Sequence, residues 1–196
     1  MRAITVLQPF ADALIWGPKT IENRTTNLGL KPGEWVGIHA GKEGYAERAL
    51  RNPVLIGRFD RWLDELWPAH ATSPQARGAL VGVACVDRVV PYHQVAGDPW
   101  AMSGHDHCIV FRHRIPLQQP LVCRGALGAW ALEPHLEHAL CRLVAEMERA
   151  RRTAAPRCLA RTDWHGEAGA VCCDLEPGHE GAHECHHRNA TFLRAS

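Results

Sequence analysis

The stretch AITVLQPFADALIWGPKTIENR, residues 3–24, decides the fold reading. Its first five residues form a short β-branched run that reads as a strand, and Gln8-Pro9 stops it. Proline suits the first turn of a helix, where an N–H would lack a partner anyway, and residues 10–16 then carry helical spacing. Gly17-Pro18 ends that helix. Lys19-Thr20-Ile21-Glu22-Asn23-Arg24 follows, with a lysine, a carboxylate and an arginine in one short segment. Alternation places Ile21 on one side and Thr20, Glu22 and Arg24 on the other, so Glu22 can pair with Arg24 and still accept further hydrogen bonds. The competing reading is a solvated charged loop, because charged side chains are mostly exposed.

Outward from this unit, residues 34–40 alternate as a strand, and 45–51 and 59–67 read as helices, the second with Phe59, Leu63 and Leu66 on one face. Residues 80–90 form the strongest buried strand. Two more follow at 108–115 and 120–124, and a short one at 129–132. Strands and helices are interspersed without a regular β-α-β period. That predicts an α/β (α+β) chain built on a small mixed sheet or barrel, not a doubly wound fold. Residues 135–152 read as one long helix, with Leu136, Leu140, Leu143, Val144 and Met147 on a stripe. Arg149, Arg151 and Arg152 complement its C-terminal dipole. Residues 158–196 hold too few large apolar side chains for a core, and a module that small needs metal or disulfides to fold. The expected organisation is a main domain over 1–133, a connecting helix and linker over 134–157, and a tail over 158–196.

With 196 residues, 46% hydrophobic and 22% charged, the composition excludes collagen-like, coiled-coil and wholly disordered chains. The longest apolar-and-small run, residues 78–86, is far short of the ~20 residues that span a bilayer. Gln8, Pro9 and Asp12 interrupt the place where a secretory signal needs an apolar core, so a cytoplasmic protein is expected. In that setting the 8 Cys and 13 His point to metal or thiol chemistry in preference to a disulfide framework. Cys85, Cys108, Cys123 and Cys141 are scattered. Cys158, Cys172, Cys173 and Cys185 crowd the tail together with His179, His183, His186 and His187.

The net charge of +1 is a cancellation. Residues 1–133 carry 14 Lys and Arg against 12 Asp and Glu, residues 134–157 carry 5 against 3, and residues 158–196 carry 3 against 6. No segment is basic enough to hold nucleic acid by bulk electrostatics, so any such binding needs a focused site.

The strings Leu7-Gln8-Pro9-Phe10-Ala11, Ile15, Gly17, Lys19-Thr20-Ile21-Glu22-Asn23-Arg24 and Ile38-His39-Ala40 resemble the opening of the ASCH domain family. Arg124-Gly125-Ala126-Leu127-Gly128-Ala129-Trp130 resembles its closing motif, and Trp100-Ala101 with Gly104 sits where members often carry a Trp. The likeness spans roughly residues 2–133. It implies a PUA-like mixed β-barrel with flanking helices and a cleft beside the first helix that binds RNA, single-stranded nucleic acid or a modified nucleotide. Carried onto this chain, Gln8, Lys19, Glu22, Arg24 and His39 face that cleft, and Arg124 and Gly125 line its other wall. Lys19, Arg24 and Arg124 suit phosphates, Trp100 offers a π-face to a base, and Glu22 accepts from an exocyclic amine. A base read in this way must be single-stranded or flipped out.

Some ASCH proteins resemble amidases acting on N4-acylated cytidines, which use a Lys-Thr-x-Thr string and a downstream Glu. Lys19-Thr20 match, but Glu22 stands at the second Thr. Hydrolysis here would use Glu22 as the base on a water, with Lys19 stabilising the oxyanion. A third expectation is a protein-interaction adaptor working through the long helix and the tail.

In the tail, Cys158 and Cys173 with His179-x3-His183 supply the ligand set and end spacing of a tetrahedral structural Zn2+ site. Cys172, Cys185, His186 and His187 are close enough in sequence to substitute, so the fourth ligand stays open. The sub-string Cys-x-Leu-x-x-Gly-His-x-Gly-x-His also resembles a small zinc-knuckle tail of bacterial and phage proteins. His105-Asp106-His107-Cys108 gathers metal-ligand types as well, yet it reads more simply as a polar loop entering a strand. Cys85, Cys108 and Cys123 read as core thiols.

Overall fold

The computed structural model describes residues 1–44, 64–67 and 75–154 and, as backbone alone, 158–162, 169–173, 182–185 and 190–193. β1 (Arg2–Gln8) runs into α1 (Phe10–Ile15), and β2 (Ile21–Arg24), β3 (Trp35–Gly44), β4 (Ala79–Val90), β5 (His107–Val122) and β6 (Ala129–Ala131) follow before the long helix α2 (Pro134–Ala154). The Gln8–Pro9 peptide is cis. The six strands form one mixed sheet in the order β2-β5-β4-β3-β1-β6, with β1 and β3 parallel and every other pair antiparallel. A parallel pair needs a crossover, and here α1 and β2 supply it. The mixed sheet with helices beside it is the expected fold class.

Both faces of the sheet are covered, which explains why the middle of the chain reads as an unbroken apolar run. In β4, Val81, Ala84 and Val86 face one core with Ile4, Val6, Leu14, Ile38 and Phe111, while Leu80 and Val83 face a second with Leu136, Leu140 and Val144. The i, i+4, i+8 spacing of those three α2 residues is the apolar stripe read in the sequence.

The two strands expected at 108–115 and 120–124 are one strand. The pairing of β4 with β5 shifts register between Leu80↔Leu121 and Gly82↔Pro116, so Val81 stands against a stretched segment of β5. Pro116 and Pro120 sit in or beside this irregularity, where a missing N–H costs the ladder little. The helix expected over 45–51 lies outside the described residues. Of that expected over 59–67, Asp64, Glu65 and Leu66 are helical and Trp67 is buried.

The chain forms two compact units, Met1–Val144 and Ala145–Ser196. In the second, β7 (Cys158–Thr162) pairs with β8 (Gly169–Cys173), and β9 (Ala182–Cys185) with β10 (Ala190–Leu193), each pair antiparallel. Among the described residues no helix is long and apolar enough to cross a membrane.

Candidate functional site

The turn from α1 into β2 is fixed by Arg114, whose Nη1 donates to the carbonyls of Leu14, Gly17 and Lys19 at 3.2, 2.9 and 2.9 Å. One guanidinium thus satisfies carbonyls that the end of a short helix leaves open. With that turn held, Ile21 enters the core and Glu22 and Arg24 emerge on the opposite side of β2, as the alternation predicts.

Lys19 is only 2% exposed. Its ammonium donates to the Ile21 carbonyl, pairs with Glu22 Oε2 at 3.2 Å, and lies 5.8 and 5.7 Å from the ring centroids of Phe10 and Trp100. Burial pulls the Lys19 ammonium below the ordinary lysine range, and the Glu22 carboxylate opposes that shift. The other Glu22 oxygen pairs with Arg24 Nη2 at 3.1 Å, and the same nitrogen donates to the Thr5 carbonyl at 2.7 Å. A carboxylate between two cations, tied to β1, makes the first wall of a cleft.

The second wall starts at His39 on β3, whose register partner is Thr5. His39 Nε2 lies 3.2 Å from the Cys123 carbonyl. A carbonyl only accepts, so Nε2 carries the proton and Nδ1 of the neutral ring is left with a lone pair. Burial lowers the His39 pKa below its usual value, with the Cys123 carbonyl opposing this and Lys42 adding to it. Gly125 lies flat on the same ring: a Cβ there would stand 2.4 Å from His39 Cε1, 2.6 Å from Nδ1 and 2.8 Å from Thr5 Oγ1. Only glycine permits that approach. Thr5 Oγ1 donates to the Ala126 carbonyl at 3.0 Å, and Arg124 and Leu127 project into solvent on either side of these anchors.

Between the walls lies a cleft of about 810 Å³, lined by Thr5, Phe10, Lys19, Glu22, Asn23, Arg24, His39, Lys42, Met102, His105 and the 124–128 segment, among others. Among the described residues, Arg24 Nε, His39 Nδ1, His105 Nδ1 and Trp130 Nε1 are buried side-chain atoms without a hydrogen-bond partner. The first three belong to residues lining this cleft, and Trp130 packs edge-on against His39 at 5.8 Å between centroids. Buried polar atoms are nearly always paired, so three unpaired ones in residues around a single cavity set this region apart.

Of the residues expected at the cleft, Lys19, Glu22, Arg24, His39, Arg124 and Gly125 line it. Two do not. Gln8 falls on the buried side of β1, where its Nε2 donates to Asp12 Oδ1 at 2.8 Å and the Ala76 carbonyl at 2.7 Å, so its amide locks β1 to α1. Trp100 is 3% exposed and lies against Lys19, so its ring offers no face to a base. Lys19 and Glu22, the pair a hydrolase would use, are together.

Sequence reasoning missed Thr5, Asn23, Lys42, Met102 and Leu127, and it placed His105 in a polar loop entering a strand. For Thr5 the signal lay in its parallel register opposite His39, which a single strand pattern does not carry. Asn23 ties the 100–102 segment to β2, donating to the Trp100 carbonyl at 2.8 Å and accepting from the Met102 N–H at 2.9 Å. In the His105-Asp106-His107-Cys108 string, Cys108 is buried, His107 opens β5 opposite Arg24 and His105 lines the cleft. No three metal-type side chains converge among the described residues. In the tail, Cys158 stands opposite Cys173 across β7 and β8, with Cys172 opposite Leu159, and His183 lies on β9; His179 lies outside the described residues.

No protein-family profile and no curated protein sequence matches the chain. Among solved structures it is similar to the crystal structure of ASCH from Zymomonas mobilis, with 14% sequence identity, a TM-score of 0.46, and coverage of 72% of this chain and 94% of that one.

Proposed function

We propose that this chain is an ASCH-type nucleic-acid-binding protein whose cleft takes one unstacked nucleotide of an RNA or single strand, or a modified nucleoside. The observation that carries this reading is one cavity lined by polar side chains of both walls, Glu22, Asn23, Arg24, His39 and His105 among them, with Arg124 and Lys42 exposed at its edge. Neither of those two cations has an acidic partner among the described residues. Donors and acceptors inside suit the edge of a base, and exposed cations outside suit its phosphates. Fluorescence anisotropy with short single-stranded RNA and DNA tests it. Binding should weaken with salt along a slope of about two phosphate contacts, at about 0.7 per contact on a single strand. No binding by any oligonucleotide or nucleoside overturns it.

The amidohydrolase reading keeps one observation in its favour, the Lys19–Glu22 pair facing the cleft. Against it, both Glu22 oxygens already accept from cations. Release of acetate from N4-acetylcytidine that Glu22→Gln abolishes, in a variant whose circular dichroism shows it still folded, would put the enzyme reading first.

The tail is proposed to hold a structural Zn2+ through Cys158, Cys173, His179 and His183. Support comes from the β7–β8 register, which sets Cys158 directly across from Cys173 and places Cys172 on the other face. Directly opposed residues in an antiparallel pair are near enough to serve one tetrahedral ion. Metal analysis of the purified protein should find zinc that Cys173→Ser removes and Cys172→Ser leaves in place. Undiminished zinc in Cys173→Ser counts against these ligands.

A further inference from the structure

The segment Arg124–Gly128 is pinned at its base and thrown outward at its tip. The Cys123 N–H donates to the Gly78 carbonyl at 3.1 Å, and the Cys123 carbonyl accepts from His39 at 3.2 Å. Gly125 is pressed on the His39 ring, and the Ala126 carbonyl accepts from Thr5 Oγ1. The chain then leaves through Gly128 at φ +73°, a left-handed turn that favours glycine, and joins β6. Between the last anchor and this turn stands Leu127, 98% exposed and at the edge of the cleft.

A lone exposed leucine needs no explanation on an ordinary surface. This one is held by a fixed backbone beside a cavity that takes one base, with the exposed Arg124 three residues away. We infer that Leu127 is a wedge: it enters a base stack and occupies the gap left by the nucleotide that the cleft accepts. The ligand is then a paired nucleic acid from which one base is extruded, and single strands are its simpler version. Apolar side chains inserted between base steps unstack them in this way, and an enzyme or reader that needs a base out of the helix benefits from filling the vacancy. The inference rests on the cleft reading proposed above.

The test uses a short duplex with 2-aminopurine at a central mismatched position, made in RNA and DNA forms, and the same labelled strand alone. 2-Aminopurine brightens when it leaves the stack. The wild-type protein should raise duplex fluorescence. Leu127→Ala should lose most of that rise and bind duplex at least about fivefold more weakly, a larger loss than it shows on the single strand. Leu127→Phe should restore the rise. Because the side chain is exposed, thermal unfolding of Leu127→Ala should match wild type. Unchanged duplex fluorescence and affinity in Leu127→Ala overturns the wedge and leaves the cleft reading standing. Equal loss on duplex and single strand also overturns it, since Leu127 is then only part of the cleft wall. Failure of the wild-type protein to bind either strand overturns both.

Discussion

The two walls of the cleft use the same residue types to opposite ends. On the β2 wall, Lys19, Glu22 and Arg24 are bound to one another and to backbone carbonyls, and Lys19 is buried. On the other wall, Lys42 and Arg124 stand in solvent at the edge of the same cavity. Charge on the first wall shapes the cavity, and charge on the second is available to a ligand. The three cations that the motif reading assigned to phosphate were Lys19, Arg24 and Arg124, so the structure divides them into one that is spent, one that is partly spent and one that is free to act.

The largest expected effect comes from breaking the buried wall. Glu22→Gln leaves Lys19 buried without its carboxylate and should lower unfolding stability in denaturant by about 3–5 kcal/mol. Lys19→Met should cost less, because it removes the buried charge while Glu22 keeps Arg24. If both variants unfold like wild type, the β2 wall is not the rigid element described here.

Next in size are the exposed cations. Arg124→Ala and Lys42→Ala should each weaken single-strand binding by about tenfold, or about 1.4 kcal/mol, and reduce the salt slope by about one contact. Their stability should change by less than about 0.5 kcal/mol. A large stability loss with unchanged binding would reverse the assignment of the two walls.

The smallest effect is a pH dependence. The folded-state pKa of His39 is lowered, so the unfolded chain binds more protons as pH falls through the ordinary histidine value near 6.5. Stability should therefore decline on acidification below about 6.5, by at most about 1.4 kcal/mol per pH unit from this group. Urea unfolding at several pH values should show that decline in wild type and its reduction in His39→Gln. An identical acid slope in both proteins removes His39 from the account.

Much of the fold was legible because its signals are local. The strand-to-helix unit at the N-terminus, the buried β4 and the α2 stripe follow from alternation, Pro-Gly punctuation and i, i+4 spacing. The sequence of β5 reads as two strands because proline is a local breaker, whereas the bulge that accommodates it depends on the partner strand. The site divided along the same line. Glu22 and Arg24 lie on one strand, and their pairing followed from its period. Gln8 and Trp100 carry polar and aromatic chemistry that suits a ligand, but tertiary neighbours consumed it: Asp12 and Ala76 in one case, Lys19 in the other. Thr5 joins His39 only through the parallel pairing of β1 with β3. Leu127 gave no sequence signal, because an apolar residue in a glycine-flanked loop looks like any other until its exposure is known.

The central claim is that one nucleotide enters between these walls. NMR of protein with labelled histidine side chains and backbone amides, titrated with a short single-stranded oligoribonucleotide, tests it most directly. The imidazole signals of His39 and His105 and the amides of residues 124–128 should shift together and saturate with one affinity. Saturable binding that leaves all of these unmoved, with shifts confined to residues 145–196, would contradict the account.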